Sequence, residues 1–114
     1  MQKIFSMIGF AQKAGKVSAG TMAARSSLLR LKANLLIMSY DISENTRESL
    51  ISLCKKRKVP WIILGNKFEL GTSVGKAYRV ALTINEPGMA NSIIELLKSR
   101  GEGLNSTGVV EWPK

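Results

Sequence analysis

The sequence predicts an α/β fold in which a small sheet is covered by helices on both faces. Short apolar runs alternate along the chain with longer segments whose apolar residues recur at helical spacing. The runs do not alternate between apolar and polar residues, which is typical of strands buried on both sides. A chain of 114 residues is long enough for one domain with a hydrophobic core. We expect that domain at residues 1–99 and a flexible tail, without periodicity, at residues 100–114.

The first forty residues predict two helices and a buried strand. Gly15 marks the end of a first helix, whose apolar stripe comprises Ile4, Met7, Ile8 and Ala11. Residues 15–20 indicate a loop or a short strand. A second helix is expected to open at Gly20 or Thr21 and to extend to about Lys32, and as an ordinary solvated helix it would bury Leu28 and Leu31. Residues 34–39 then predict a buried strand.

The rest of the chain predicts three more helices and two more strands. Ser43 is placed to cap a helix that extends to about Lys56, with acids near its start and the basic run Lys55–Lys58 at its end. Strands are expected at residues 61–64 and 79–84, with a short helix at 67–74 between them. Pro87 suits the first turn of the last helix. The apolar stripe of that helix comprises Met89, Ile93, Leu96 and Leu97.

Basic residues are distributed unevenly along the chain. The net charge is +9, and residues 1–40 contain Lys or Arg at six positions but no acid. Such an asymmetry indicates a surface that faces a polyanion, usually a nucleic acid. The alternative is a basic composition that serves solubility and has no single binding face.

Cysteine and histidine usage narrows the function classes. With one cysteine and no histidine, the chain has no internal disulfide and lacks the usual zinc ligands. Cys54 falls in the apolar stripe of the third helix, so we interpret it as a core residue. The N-terminal segment predicts an amphipathic helix rather than a signal peptide, and the longest apolar run, Leu35–Met38, is too short to cross a membrane. A cytoplasmic protein is expected.

The segment GTSVGKA, at residues 71–77, is similar to a phosphate-binding loop but lacks its spacing. Such a loop has four residues between its glycines and a hydroxyl residue after the lysine. Gly71 and Gly75 are separated by three residues, and Ala77 follows Lys76. A short helix ending at Gly75 is the better interpretation. Because the chain has no histidine for general-base catalysis and no carboxylate cluster for Mg²⁺, we expect neither an enzyme nor a cofactor.

The start of the second helix is the strongest candidate for a binding site. A helix N-terminus built from glycine and small residues lets a phosphate or a base edge approach free N–H groups. Arg25 and Lys32 would lie two turns apart on nearly one face of this helix. The ordinary solvated helix is an equally good interpretation of the same residues. The run Lys55–Lys58 carries less weight, because a basic last turn needs no ligand.

Three blocks, GFAQKAGKVSAG, LLIMSYDISENT and CKKRKVPWIILGNKFELGTSVGK, occur in an order that resembles the L7Ae/L30e ribosomal protein family, and its small bacterial members in particular. The resemblance covers roughly residues 4–98. It implies a three-layer α/β/α sandwich with a small mixed sheet of about four strands. It also implies a non-catalytic protein that binds structured RNA such as kink-turns or ribosomal RNA, and association with the ribosome is consistent with it.

The resemblance also implies where RNA would bind. Lys76, Ala77 and Tyr78 would flank an extruded nucleotide, Ser43 would face it from the other side, and Lys67 would contact the backbone. Archaeal and eukaryotic members of the family carry Gly-x-Asn-Glu at the start of the second helix, where Asn and Glu read sheared G·A pairs and a Lys follows one turn later. The matching positions here are Gly20, Thr21, Met22, Ala23 and Ser26, so these polar groups are missing.

The basic residues of the second helix complete the expected RNA site. Arg30 matches a basic position of the family, and Arg25 is a candidate replacement phosphate contact. The alternative function is a protein-interaction module on the same fold, in which the RNA site has decayed. The sequence leaves open the natural RNA and the oligomeric state.

Overall fold

Residues 2–99 are described by the computed structural model, and they follow the predicted order of helices and strands. The elements are α1 (Gln2–Lys13), β1 (Val17–Ala19), α2 (Thr21–Leu29), β2 (Leu35–Met38), α3 (Glu44–Arg57), β3 (Trp61–Ile63), α4 (Lys67–Ser73), β4 (Ala81–Ile84) and α5 (Pro87–Ser99). The segment expected to be a loop or a short strand is therefore strand β1. The expected tail at residues 100–114 lies outside the described residues.

The four strands form one mixed sheet in the order β1-β4-β2-β3. Strand β4 is antiparallel to both of its neighbours, and β2 is parallel to β3. Strands β1, β2 and β3 therefore point in the same direction. We call the edge where these three strands end and β4 begins the upper edge. The lower edge is the one where β1, β2 and β3 begin and β4 ends.

Helices cover both faces of the sheet, which confirms the three-layer α/β/α sandwich. One face packs against α1, α4 and α5 around a core that includes Ile4, Ile8, Ile37, Leu70 and Leu97. The other face packs against α2 and α3 around a core that includes Leu28, Leu36, Met38, Leu50 and Trp61. The strand β2 contributes alternate residues to the two cores, as its pleat requires. Among residues 2–99, no helix has the length and the apolar character needed to span a membrane.

Helix α2 is shorter than predicted. It ends at Leu29, with Arg30 as its C-cap, and not at about Lys32. Leu31 has a φ of +62°, in the left-handed region, and its side chain is 72% exposed rather than buried. The N–H of Leu31 bonds to the Leu28 carbonyl and that of Lys32 to the Ser27 carbonyl, a pattern that closes a helix. Lys32 therefore does not share a helix face with Arg25.

Local signals at the other helix ends and in α3 match the structure. Ser43 caps α3 and accepts the N–H of Thr46. Asn66 caps α4 through a capping box with Glu69. Cys54 is buried in the α3 core stripe, and this burial raises the pKa of its thiol to about 12. The thiol therefore stays protonated near neutral pH, and Cys54 is a core residue as predicted.

A buried polar network attaches α2 to the sheet near the lower edge. The side-chain oxygen of Asn85 accepts hydrogen bonds from the Ser27 hydroxyl at 2.7 Å and the Thr83 hydroxyl at 2.9 Å. Its amide nitrogen donates to Ser18 Oγ at 2.8 Å. Ser27 and Thr83 are both buried, so each depends on this partner. One side chain thus connects β1, β4 and α2.

We expect Asn85→Ala to lower the free energy of unfolding by about 2 kcal/mol or more. The substitution leaves two buried hydroxyls without their acceptor, and each such loss costs about 1–3 kcal/mol. Urea denaturation followed by circular dichroism measures this change. Asn91→Ala is the matched control, because Asn91 is exposed on α5 and should shift stability by no more than about 0.5 kcal/mol. Equal unfolding midpoints for the two variants would contradict this role of Asn85.

Candidate functional site

Four segments meet at the upper edge and are tied together by backbone hydrogen bonds. The N–H of Gly20 bonds to the carbonyl of Ala81, and the N–H of Ser39 bonds to that of Val80. The N–H of Tyr40 reaches the Gly65 carbonyl, and the N–H of Arg79 reaches that of Lys67. The start of α2, the β2–α3 loop, the β3–α4 loop and the loop that precedes β4 therefore hold fixed positions along this edge.

A surface recess of about 330 Å³ separates the start of α2 from the loop before β4. It is lined by Ala19, Gly20, Thr21, Met22, Ala23, Tyr78, Arg79 and Val80. Its volume is at the lower end of the range of small-molecule sites, about 300–1,000 Å³. The recess is thus large enough to receive one base or one phosphate.

The backbone of Gly20 shapes one wall of this recess. Gly20 has a φ of +110° and a ψ of 157°, a region that is essentially restricted to glycine. The side chain of Arg79 lies over it, since a Cβ added to Gly20 would be 3.7 Å from Arg79 Nε. Arg79 also donates from Nη1 to the Tyr78 carbonyl at 2.6 Å. A cation therefore borders the free N-terminus of α2.

Lys67 contacts two aromatic rings through its side chain and an acidic loop residue through its backbone N–H. Its ammonium group lies 5.4 Å from the centroid of the Phe68 ring and 5.7 Å from that of Tyr78, which is cation–π distance. Its backbone N–H donates to Asp41 Oδ1 at 3.0 Å. Both rings are more than half exposed. The upper edge thus presents a positioned cation beside two ring faces that a nucleobase can stack on.

The GTSVGK segment determines how the loop before β4 packs. Gly71 lies inside α4, and Gly75 follows the C-cap with a φ of +74°. A Cβ on Gly71 would overlap the backbone of Tyr78, at 2.7 Å from its N and carbonyl C. Gly71 therefore allows the loop to cross α4 closely, and Gly75 ends the helix as predicted. Neither glycine precedes a helix, as those of a phosphate-binding loop would.

The structure brings most of the predicted site residues together at the upper edge. Five of them line the recess: Gly20, Thr21, Met22, Ala23 and Tyr78. Lys76 and Ala77 are exposed in the adjoining loop, and Ser26 is exposed on the second turn of α2. Ser43 is exposed at the same edge, with its hydroxyl bonded to Thr46 Oγ1 at 2.8 Å.

Two predicted residues lie outside the upper-edge group, and one unpredicted residue lines the recess. The half-buried Arg25 donates from Nη2 to Ser49 Oγ of α3 at 2.8 Å. Arg30 follows the last residue of α2 and therefore lies at the lower edge. Arg79 lines the recess, whereas the sequence predicts it as the first residue of a strand. Its position directly after Tyr78, a predicted site residue, is the sequence signal for its role.

A second, open groove of about 670 Å³ lies between α1 and α4. Its walls include three phenylalanines, Phe5, Phe10 and Phe68, together with Lys13 and Glu69. Phe68 also contacts the Lys67 ammonium, so the groove adjoins the upper edge.

Comparison with known families identifies the family to which this fold belongs. The model of the ribosomal protein L7Ae/L30e/S12e/Gadd45 family matches residues 2–94. The chain belongs to this family. The match includes every segment that forms the recess of the L7Ae-type domain.

Two sequence relatives support the same membership. The chain is 32% identical to "RNA-binding protein YlxQ" of Bacillus subtilis over 93 residues, which cover 82% of this chain and 93% of that protein. It is 28% identical to "Large ribosomal subunit protein eL8" of Thermoplasma volcanium over 104 residues, covering 90% and 86%.

Two solved structures share the fold. A protein of unknown function from Bacillus halodurans has a TM-score of 0.81 at 24% identity, covering 86% of this chain and 99% of that one. The Giardia lamblia 15.5kD RNA binding protein has a TM-score of 0.71 at 18% identity, covering 86% and 87%.

We expect Gly71→Ala to destabilise the L7Ae-type domain by about 1–3 kcal/mol, because the added methyl group meets backbone and cannot be relieved by a rotamer change. The loop at residues 75–80 should move with it, since Gly71 and Tyr78 are in direct contact. Thermal unfolding measures the first effect, and backbone amide chemical shifts at residues 76–80 measure the second. Thr72→Ala, at an exposed position of the same helix, is the control and should leave both nearly unchanged. Unperturbed shifts in Gly71→Ala would show that the contact does not set the loop position.

Proposed function

We propose that this L7Ae-type protein is a non-catalytic RNA-binding protein that takes structured RNA, of kink-turn or ribosomal type, at the upper edge. The observation that carries the proposal is the recess between the N-terminus of α2 and the loop at residues 75–80. Membership of the family and the name of the Bacillus subtilis relative support RNA as its ligand.

The chemistry of the upper edge suits an unstacked nucleotide and its phosphates. The free N–H groups at the start of α2 have no side-chain cap, so they are available to an anion or a base edge. Arg79 borders the recess, and Lys67 and the exposed Lys76 are the further cations of the adjoining segments. The half-exposed ring of Tyr78 offers a stacking surface. Phosphates would be held by the cations while the recess receives a base that the RNA extrudes.

The first turn of α2 determines how this site reads RNA. Met22 is 81% exposed, and Ala23 is half-buried at the recess wall. Neither side chain accepts a hydrogen bond from a guanine edge, as the Asn and Glu of kink-turn-reading relatives would. The site therefore depends on phosphate contacts, stacking and shape more than on base readout.

Substitution of the upper-edge cations tests the proposed function. We expect Lys67→Ala, Lys76→Ala and Arg79→Ala each to weaken binding to a kink-turn RNA with short arms. Each should also reduce the slope of log affinity against log salt by about one unit, because each lost phosphate contact releases one counterion fewer. Filter binding at four salt concentrations measures both quantities.

Lys56→Ala is the matched control for these variants, because Lys56 is an exposed cation near the end of α3. It should change the affinity for this short RNA less than any of the three. The upper-edge site would be excluded if RNA binding by the wild type did not depend on salt. It would also be excluded if Lys56→Ala lost more RNA affinity than the three upper-edge variants. Absence of RNA binding altogether would instead favour the alternative, a protein-interaction module on the same fold.

Restoring the missing polar groups tests the placement of α2 in the site. We expect Met22→Asn combined with Ala23→Glu to strengthen kink-turn binding, although it adds a negative charge. The new acceptors would satisfy guanine donors that otherwise stay unpaired, at a cost of about 1–3 kcal/mol for a buried group. Calorimetric titration against one kink-turn at fixed salt measures the change.

Leu29→Glu is the charge-matched control for the double variant. It adds the same charge to an exposed position of α2, at the helix end away from the recess, and should weaken binding slightly. If the double variant also binds more weakly than the wild type, the α2 start is not where the RNA pairs are read.

A further inference from the structure

The lower edge of the sheet carries a denser set of cations than the upper edge does. The residues that end α1, α2 and α3, or that connect these helices to the strands, include eight basic side chains, and all eight are exposed. They are Lys13, Lys16, Arg30, Lys32, Lys55, Lys56, Arg57 and Lys58. Along the sequence they form three separate groups. The sheet topology brings the groups together, because β1, β2 and β3 all begin at this edge.

Acidic residues are segregated from this cluster. Asp41 precedes α3, Glu44 and Glu48 lie in the first two turns of α3, Glu69 lies in the first turn of α4, and Glu95 lies in the third turn of α5. In the described part of the chain, the acid next to the lower edge is Glu86, just after β4. Its carboxylate accepts the N–H of Met89 at 2.7 Å and so caps α5. The electrostatic potential at the lower edge is therefore positive, because the neighbouring acid offsets the cations only weakly.

The favourable position of cations at helix ends explains only part of this cluster. Lys13 and Lys55–Arg57 lie in last helical turns, where the helix dipole stabilises them. Lys16 and Lys32 lie in connections outside any helix. Their side chains therefore gain little from a dipole, and a common function of the cluster accounts for them better.

A recess of about 320 Å³ lies at this edge. It is lined by Asn34, Arg57, Lys58 and Asn91 together with five apolar residues. Asparagine amides and basic side chains are donors that suit phosphate and ribose oxygens. Leu31 and Lys58, the two non-glycine residues with positive φ in residues 2–99, end α2 and α3 at this edge. Their backbone conformation turns the chain sharply there and leaves both side chains exposed.

We propose that the lower edge is a second RNA-binding surface, which holds the phosphate backbone of an RNA duplex without reading its sequence. The proposal rests on the proposed function only in taking RNA as the polyanion. An A-form duplex is recognised mostly through its phosphates and 2′-hydroxyls, and this requires spread cations and donors rather than a base pocket. The protein would then contact one folded RNA, or two RNA segments, through opposite edges.

Two triple variants of equal net charge separate the two surfaces. The lower-edge variant is Lys32→Gln, Lys56→Gln and Arg57→Gln, and the upper-edge variant is Lys67→Gln, Lys76→Gln and Arg79→Gln. The probe is a plain RNA duplex of about 16 base pairs, the length that double-stranded RNA-binding domains span. Thermal unfolding first establishes that both variants fold.

We expect the lower-edge variant to lose at least about tenfold in duplex affinity and about two to three units of salt slope, one for each lost phosphate contact. The upper-edge variant should keep most of its duplex affinity and lose its binding to a short-armed kink-turn RNA. Wild-type protein saturated with the kink-turn RNA should still bind a labelled duplex and form a ternary complex.

Several results would overturn the proposal. Equal losses of duplex affinity in the two variants would mean that net charge alone drives binding. Retention of duplex affinity by the lower-edge variant would remove this surface from RNA binding. A lower edge that binds vesicles of anionic phospholipid but not the duplex would assign it to a membrane. A wild type that binds the duplex through the lower edge but does not bind the kink-turn RNA would refute the proposed upper-edge function alone.

Discussion

The antiparallel pairing of β4 between β1 and β2 is the constraint on which both surfaces depend. Because β4 runs against both neighbours, those neighbours share one direction, and β3 extends the same direction by parallel pairing. The start of α2, which follows β1, therefore lies beside the loop at residues 75–80 that precedes β4. The recess lies between these two segments. The same pairing collects the ends of α1, α2 and α3 at the opposite edge. Gly71 completes the arrangement by letting the loop cross α4 at close range.

Most of the fold could be predicted from local signals. Buried apolar runs identified β2, β3 and β4, and capping residues such as Ser43 identified the helix starts. The end of α2 could not be predicted, because Leu31 occupies a left-handed position that sequence patterns assign to glycine or asparagine. The order of the strands in the sheet could not be predicted from local signals either. Short apolar runs resemble one another, and their pairing is decided by tertiary packing that periodicity does not encode.

The start of α2 could be proposed as a binding site from the residues alone, but its pairing with the loop at residues 76–78 could be predicted only through resemblance to the family. Nothing in the composition connects Gly20 with Tyr78, which are 58 positions apart in the chain. The fold places both residues on the wall of the same recess. The sequence pattern places Arg79 in a strand, whereas β4 begins at Ala81, so the pattern does not indicate a site residue there. The run Lys55–Lys58 gives an equally weak signal. A basic helix end is ordinary by itself, and only the topology shows that three such groups share one edge.

If both edges bind RNA as proposed, their chemistry gives them different roles. The upper edge offers shape, ring faces and a few cations among acids, and Met22 and Ala23 in its first α2 turn carry no acceptor for guanine. The lower edge offers charge with little geometric selectivity. The Cα atoms span about 29 Å, several times the Debye length of about 8 Å at physiological salt. An RNA segment on one edge therefore barely repels a second segment on the other. When one RNA reaches both edges, the second contact forms at high effective concentration, so two individually modest surfaces can give tight binding to RNAs of the right span.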